Sequence, residues 1–104
     1  MEEERPLVNS RLSAFSNALI SQDVKKSISI CSPSRKEEYE KLFNENPDLM
    51  KYLGEAMKNS SLEMVGPGYD KYDQRFGGAV VKYNGKAFHI NLVKINGVWY
   101  LQDF

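Results

Sequence analysis

Two residues that occur once each carry the most distinctive chemistry in this sequence: His89, whose imidazole can act as acid or base, and Cys31, whose thiolate is a nucleophile and a metal ligand. A general base working near neutral pH must therefore be His89 or a carboxyl with a raised pKa. Asp103 is the carboxyl to weigh, because partial burial at the edge of an apolar face raises a carboxyl pKa and permits proton transfer. Plainer readings stand beside each. A histidine on a sheet face is an interface or structural group, a free cysteine is a small buried apolar residue, and an aspartate beside the last residue is hydrated or caps a helix. A single cysteine excludes an internal disulfide, and zinc would need His89 plus carboxylates from distant parts of the chain, so no metal site is expected. Asp70 and Asp73, with Tyr69 and Tyr72, match no calcium loop and read as a solvated loop.

Composition narrows the classes further. The 104 residues carry 14 Lys plus Arg against 14 Asp plus Glu, and neither half of the chain is strongly biased. A nucleic-acid partner is therefore not expected, because phosphate neutralisation by clustered cations supplies most of that affinity. No run of eighteen apolar residues spans a membrane, and Met1 to Pro6 lacks the basic and apolar regions of a signal peptide. Gly66-Pro67-Gly68 lacks the Lys and helix of a phosphate loop, and no nucleophile elbow, zinc-helix motif or repeat occurs, so no cofactor is called for.

The elements that must position these residues can be read from periodicity. Val8, Leu12, Phe15 and Leu19 form one apolar stripe, which predicts a helix over about 7–21 after a flexible start at 1–6. Asp23 is placed to cap a short second helix that Ser32-Pro33 stops. Ser34 and Glu37 have the spacing of a capping box for a third helix, with Arg35 to Glu38 as its solvated face. Asn46-Pro47 predicts a cap and first position for the stripe Leu49, Leu53, Ala56, Met57. From Ser61 the period becomes two. A short strand over 62–65 is expected to end at Gly66-Pro67-Gly68, with 69–73 as loop.

Asn84-Gly85 and Asn96-Gly97 are two-residue hairpin signals, and such turns fix the register. Val81 is expected opposite Phe88, Leu92 opposite Leu101, and Ile95 opposite Val98. One face then holds Ala79, Val81, Phe88, Ile90, Leu92, Trp99 and Leu101, with Asp103 near its edge roughly opposite Ile90. The other holds Phe76, Val80, His89, Asn91, Val93, Tyr100, Gln102 and Phe104, a mixed surface suited to contact. Gly77-Gly78 is expected to bulge the sheet.

Phe15-x-x-Ala18-Leu19, Gln22-Asp23-Val24, Ser32-Pro33, an aromatic-bearing helix from Arg35, and a final Ile95-Asn96-Gly97-Val98-Trp99-Tyr100-Leu101 strand resemble the nuclear-transport-factor-two-like superfamily. The likeness spans about residues 8–104 and is nearest to small exported or lipoprotein-type bacterial domains. It implies one α+β domain over 7–104, cone-shaped, with three to four N-terminal helices on a curled antiparallel sheet of about four strands. Gln22 stands where Gly is usual, and a strand found between the early helices of the enzymes is not evident, which implies a minimal non-enzymatic member.

In such a fold Tyr39, Phe43, Tyr52 and Trp99 converge at the wide end of the cone, where a small apolar ligand would sit, although aromatics at helical spacing also serve as plain core. The resulting expectation is a non-catalytic binding or assembly module of an exported protein. It would interact through its outer sheet face, as a homodimer or with a protein partner. The alternative is an isomerase- or dehydratase-type enzyme, or a ligand-binding protein, using the cone. In the enzyme Asp103 would be the acid or base, with Tyr39 or Tyr52 as hydrogen-bond donor.

Overall fold

A computed structural model describes residues 5–58, 61–69, 75–83 and 85–103. Four helices precede four strands: α1 (Arg5–Ile20), α2 (Val24–Ile30), α3 (Lys36–Glu45), α4 (Pro47–Lys58), β1 (Ser61–Tyr69), β2 (Arg75–Tyr83), β3 (Lys86–Ile95) and β4 (Val98–Asp103). The strands form one antiparallel sheet in the order β1-β2-β3-β4, so the architecture is the α+β arrangement expected. The α1 stripe is buried throughout, with Val8, Leu12, Phe15 and Leu19 each at most 2% exposed.

The helix ends show how local chemistry sets the chain path. At the end of α1, Asp23 N–H donates to Ala18 C=O and Gln22 N–H to Leu19 C=O, while Gln22 takes a left-handed φ of 57°. Asp23 then caps α2, its Oδ1 accepting from Lys26 N–H at 3.0 Å. The expected capping box on α3 is absent: Arg35 holds the cap position with no side-chain cap bond, and Ser34 Oγ instead meets Ser32 Oγ at 3.3 Å. The turn at 33–35, closed by Arg35 N–H onto Ser32 C=O, draws that hydroxyl away. Pro47 begins α4 as expected, yet the Asn46 side chain donates backwards to Leu42 C=O and finishes α3.

α1 and α4 approach closely at Gly54. A Cβ there would lie 2.8 Å from Ser16 O and 2.9 Å from Ile20 N, and the buried Ser16 Oγ donates to Gly54 O at 2.8 Å. The sheet register matches the hairpin expectation, with Tyr83 opposite Lys86, Val81 opposite Phe88, Leu92 opposite Leu101 and Ile95 opposite Val98. Asn96 and Gly97 both have positive φ, as the tight turn requires.

The irregularities fall elsewhere than expected. Gly77 and Gly78 pair regularly with Leu92 and Asn91, so no bulge interrupts the β2–β3 ladder there. β1 runs on to Tyr69, absorbing the Gly-Pro-Gly sequence as a register shift between Val65 and Gly68. A second shift lies in β4, where Leu101 pairs with Leu92 but Asp103 pairs with Asn91, leaving Gln102 as the extra residue.

Candidate functional site

A pocket of about 210 Å³, partly open to solvent, lies between α4 and the sheet. α4 contributes Leu49, Leu53, Ala56 and Met57, α1 contributes Phe15, and the sheet contributes Val81, Phe88 and Ile90. The positions follow from two periods. Leu49, Leu53, Ala56 and Met57 recur at helical spacing on one face of α4, while Val81, Phe88 and Ile90 share one sheet face through the Val81–Phe88 pairing. Every described lining residue is apolar, and none titrates. Such a hollow can bury apolar surface but offers no acid, base or nucleophile from these residues.

On the other side of Phe15 the core is filled. Phe43 stacks on Tyr39 with ring centroids 6.0 Å apart and packs tilted against Phe15 at 6.4 Å. Trp99 is 2% exposed and belongs to the same core as Tyr39, Phe43, Met50 and Cys31. Polar groups there bind the helices to β4. Ser32 N–H donates to Leu101 C=O at 2.8 Å, Arg11 Nε to Trp99 C=O at 2.7 Å, and Arg35 Nε to Gln102 C=O at 3.1 Å. These donors occupy carbonyls of an edge strand that would otherwise invite pairing with another chain. Arg35 also donates to Tyr39 Oη at 3.3 Å and meets Glu38 at 3.0 Å. Burial pushes the Tyr39 hydroxyl above its usual pKa, against the opposing pull of Arg35, and burial pushes the Cys31 thiol up to about 12.

The four aromatics expected to converge on a ligand are therefore not together at the cavity. Tyr39, Phe43 and Trp99 are buried core, Tyr52 is 50% exposed on α4, and none of the four is among the described cavity lining. Asp103 is also displaced from its expected place. The bulge at Gln102 sets it opposite Asn91 rather than Ile90, and its Oδ1 accepts from Asn91 Nδ2 at 2.6 Å. It is thus paired with Asn91 and is not among the described pocket lining, while its charge is felt at Arg35 and Tyr39.

On that face His89 lies opposite Val80 and is exposed, as is Asn91, while Val80, Tyr100 and Gln102 are half-buried. Val93 is 2% exposed, and Arg11 lies over the Tyr100 ring at 5.4 Å, so two of the larger groups expected to meet a partner already have neighbours within the chain. The Phe76 side chain and Phe104 lie outside what the structure describes. Among the described residues no three His, Cys, Asp or Glu groups gather as a metal site, and no helix is long and apolar enough to cross a membrane.

Sequence reasoning placed the cavity lining in the core and missed the hollow. No single residue signalled it, since the opening depends on the separation of α4 from the sheet. The roles of Arg11 and Arg35 had no local signal, since their carbonyl partners lie 88 and 67 residues away.

No protein-family profile matches the sequence, and no curated protein sequence matches it. Among solved structures, the fold is similar to that of a protein from Campylobacter jejuni named as an NTF2-like transpeptidase, at 16% identity and a TM-score of 0.46, over 85% of this chain and 90% of that one.

Proposed function

We propose that this protein is a non-catalytic binding module whose cavity between α4 and the sheet takes up a small apolar ligand. The observation that carries this reading is the union of about 210 Å³ of open space with a described lining composed wholly of apolar side chains. Apolar surface exposed in such a recess favours being covered by a small hydrophobic guest, because that removes it from water. The candidate enzyme groups support the same reading by their positions: Asp103 is engaged by Asn91, Tyr52 faces solvent, and Tyr39 is held by Arg35 within packed core. Assembly through the outer sheet face draws less support, since Val93 is already buried.

The test is methyl-resolved NMR of the full chain during titration with benzene. Methyl signals of Leu49, Leu53, Val81 and Ile90 should move saturably, while those of Leu12 and Leu101 stay in place. Filling the space by Ala56→Leu, or separately by Leu53→Phe, should abolish the response in a folded protein. Absence of any saturable shift in the wild-type chain up to the solubility of benzene would refute the reading.

A further inference from the structure

We infer a second binding site, separate from the pocket beside α4: a recess between the start of α1 and β4 that takes an acidic peptide segment of a partner protein, its carboxylate seated on Arg11 and a neighbouring apolar side chain against Leu7 and Val98. Two short spacings build it. Leu7, Ser10 and Arg11 stand at i, i+3 and i+4 on one face of α1, and the Asn96-Gly97 turn brings Val98 and Trp99 beside them around an open space of about 220 Å³.

The two arginines that reach β4 differ in what they have left to bind. Arg35 uses each of its nitrogens, Nε on Gln102 C=O, one Nη on Tyr39 Oη and the other on Glu38. Arg11 donates from Nε to Trp99 C=O and lies over the Tyr100 ring, so its plane is held from two sides, yet neither of its terminal nitrogens has an acceptor among the described residues. A guanidinium fixed in this way offers a fork that matches both oxygens of a carboxylate, and little side-chain freedom is lost when one arrives.

Leu7 and Val98 supply the apolar half. They are 52% and 40% exposed, two of the three exposed large apolar side chains among the described residues, and both border the same recess as Arg11. Covering them removes apolar surface from water. The recess is open to solvent, which suits a side chain projecting from a partner's backbone better than a free small molecule, whose affinity depends on being enclosed.

The experiment titrates capped dipeptides into the intact protein and follows the methyl signals of Leu7 and Val98 together with the Arg11 Nε–H signal. Acetyl-Leu-Glu-amide should move all three saturably and leave the Leu53 and Ile90 methyls of the α4 pocket in place. Acetyl-Leu-Gln-amide should bind about three- to fivefold more weakly for want of the charge, and acetyl-Gly-Glu-amide about fivefold more weakly because Leu7 and Val98 stay in water. Arg11→Lys, which keeps the charge and loses the fork, should weaken acetyl-Leu-Glu-amide about threefold, and Leu7→Ser, at an exposed position outside the core, about fivefold. Absence of a saturable shift with acetyl-Leu-Glu-amide, equal binding of the Glu and Gln peptides, or wild-type affinity in Leu7→Ser would overturn the site. Hexanoate binding more tightly than acetyl-Leu-Glu-amide would overturn the peptide as its occupant.

Discussion

Two neighbouring parts of the core, which meet at Phe15, are built from similar residue types and do opposite things with them. Around Tyr39, Phe43 and Trp99, large rings meet large rings, and the charged groups of Arg11 and Arg35 lace the packing to β4. Around Ala56, Leu53 and Met57, the helix and sheet leave a partly open pocket with no polar group among the described lining. The difference lies in volume and satisfaction rather than in hydrophobicity. Aromatic density is thus a poor guide to a binding site, since rings placed close enough fill their own space.

The sharpest way to break this comparison is to truncate one residue in each part. Phe43→Ala removes a fully buried ring with two aromatic neighbours and should cost about 3–5 kcal/mol in urea denaturation. Leu53→Ala, at a half-buried position already bordering empty space, should cost only about 1–2 kcal/mol. Equal costs would mean that the two regions are equally packed.

Alkaline titration probes the filled part through Cys31. Its thiol, ordinarily near 9.0, is raised to about 12 by burial, with Lys36 pulling modestly the other way. A raised native pKa means that the folded state keeps its proton longer than the unfolded state. The associated stability is therefore complete below pH 9.0 and declines towards pH 12, by about 4 kcal/mol at the upper end. Denaturation of wild type and Cys31→Ala across this range should give a declining wild-type curve relative to the variant; parallel curves would show a thiol open to water.

Gly54→Ala tests the close crossing of α1 and α4. An exposed helical glycine gains about 1 kcal/mol on becoming alanine, but here the added carbon meets backbone of α1. A net loss of about 1–3 kcal/mol by chemical denaturation is expected, and a gain would mean that α1 and α4 separate freely. The smallest effect is at Gln22, whose left-handed φ suits glycine. Gln22→Gly should raise stability by about 0.5–1 kcal/mol despite losing the exposed bond to Pro47 C=O, with an unchanged melting temperature arguing against strain there.

Much of the fold was legible because its signals are local. The α1 stripe, the Asp23 cap, Pro47 at a helix start and the Asn-Gly turns each declare a conformation within a few residues, and the turns then impose the Val81–Phe88 and Leu92–Leu101 pairings at longer range. The site was not legible for the converse reason. Whether Tyr39 lines a pocket or fills it depends on how far apart helix and sheet stand, which no single segment encodes. One extra residue in β4 was enough to move Asp103 from the face of Ile90 to that of Asn91, since strand faces alternate with every residue. Arg35 was expected on a solvated helix face, but it holds the cap position of α3 and its contact with Gln102 C=O arises only after the chain has returned.

The most direct measurement is a crystal structure of the protein under xenon pressure, because xenon enters dry apolar cavities and is repelled by neither shape nor charge specificity. The account predicts xenon density between α4 and the sheet, within contact of Ala56, Phe88 and Ile90, and none beside Phe43 or Trp99. Xenon seated among Tyr39, Phe43 and Trp99, or a crystal with no site between α4 and the sheet, would contradict it.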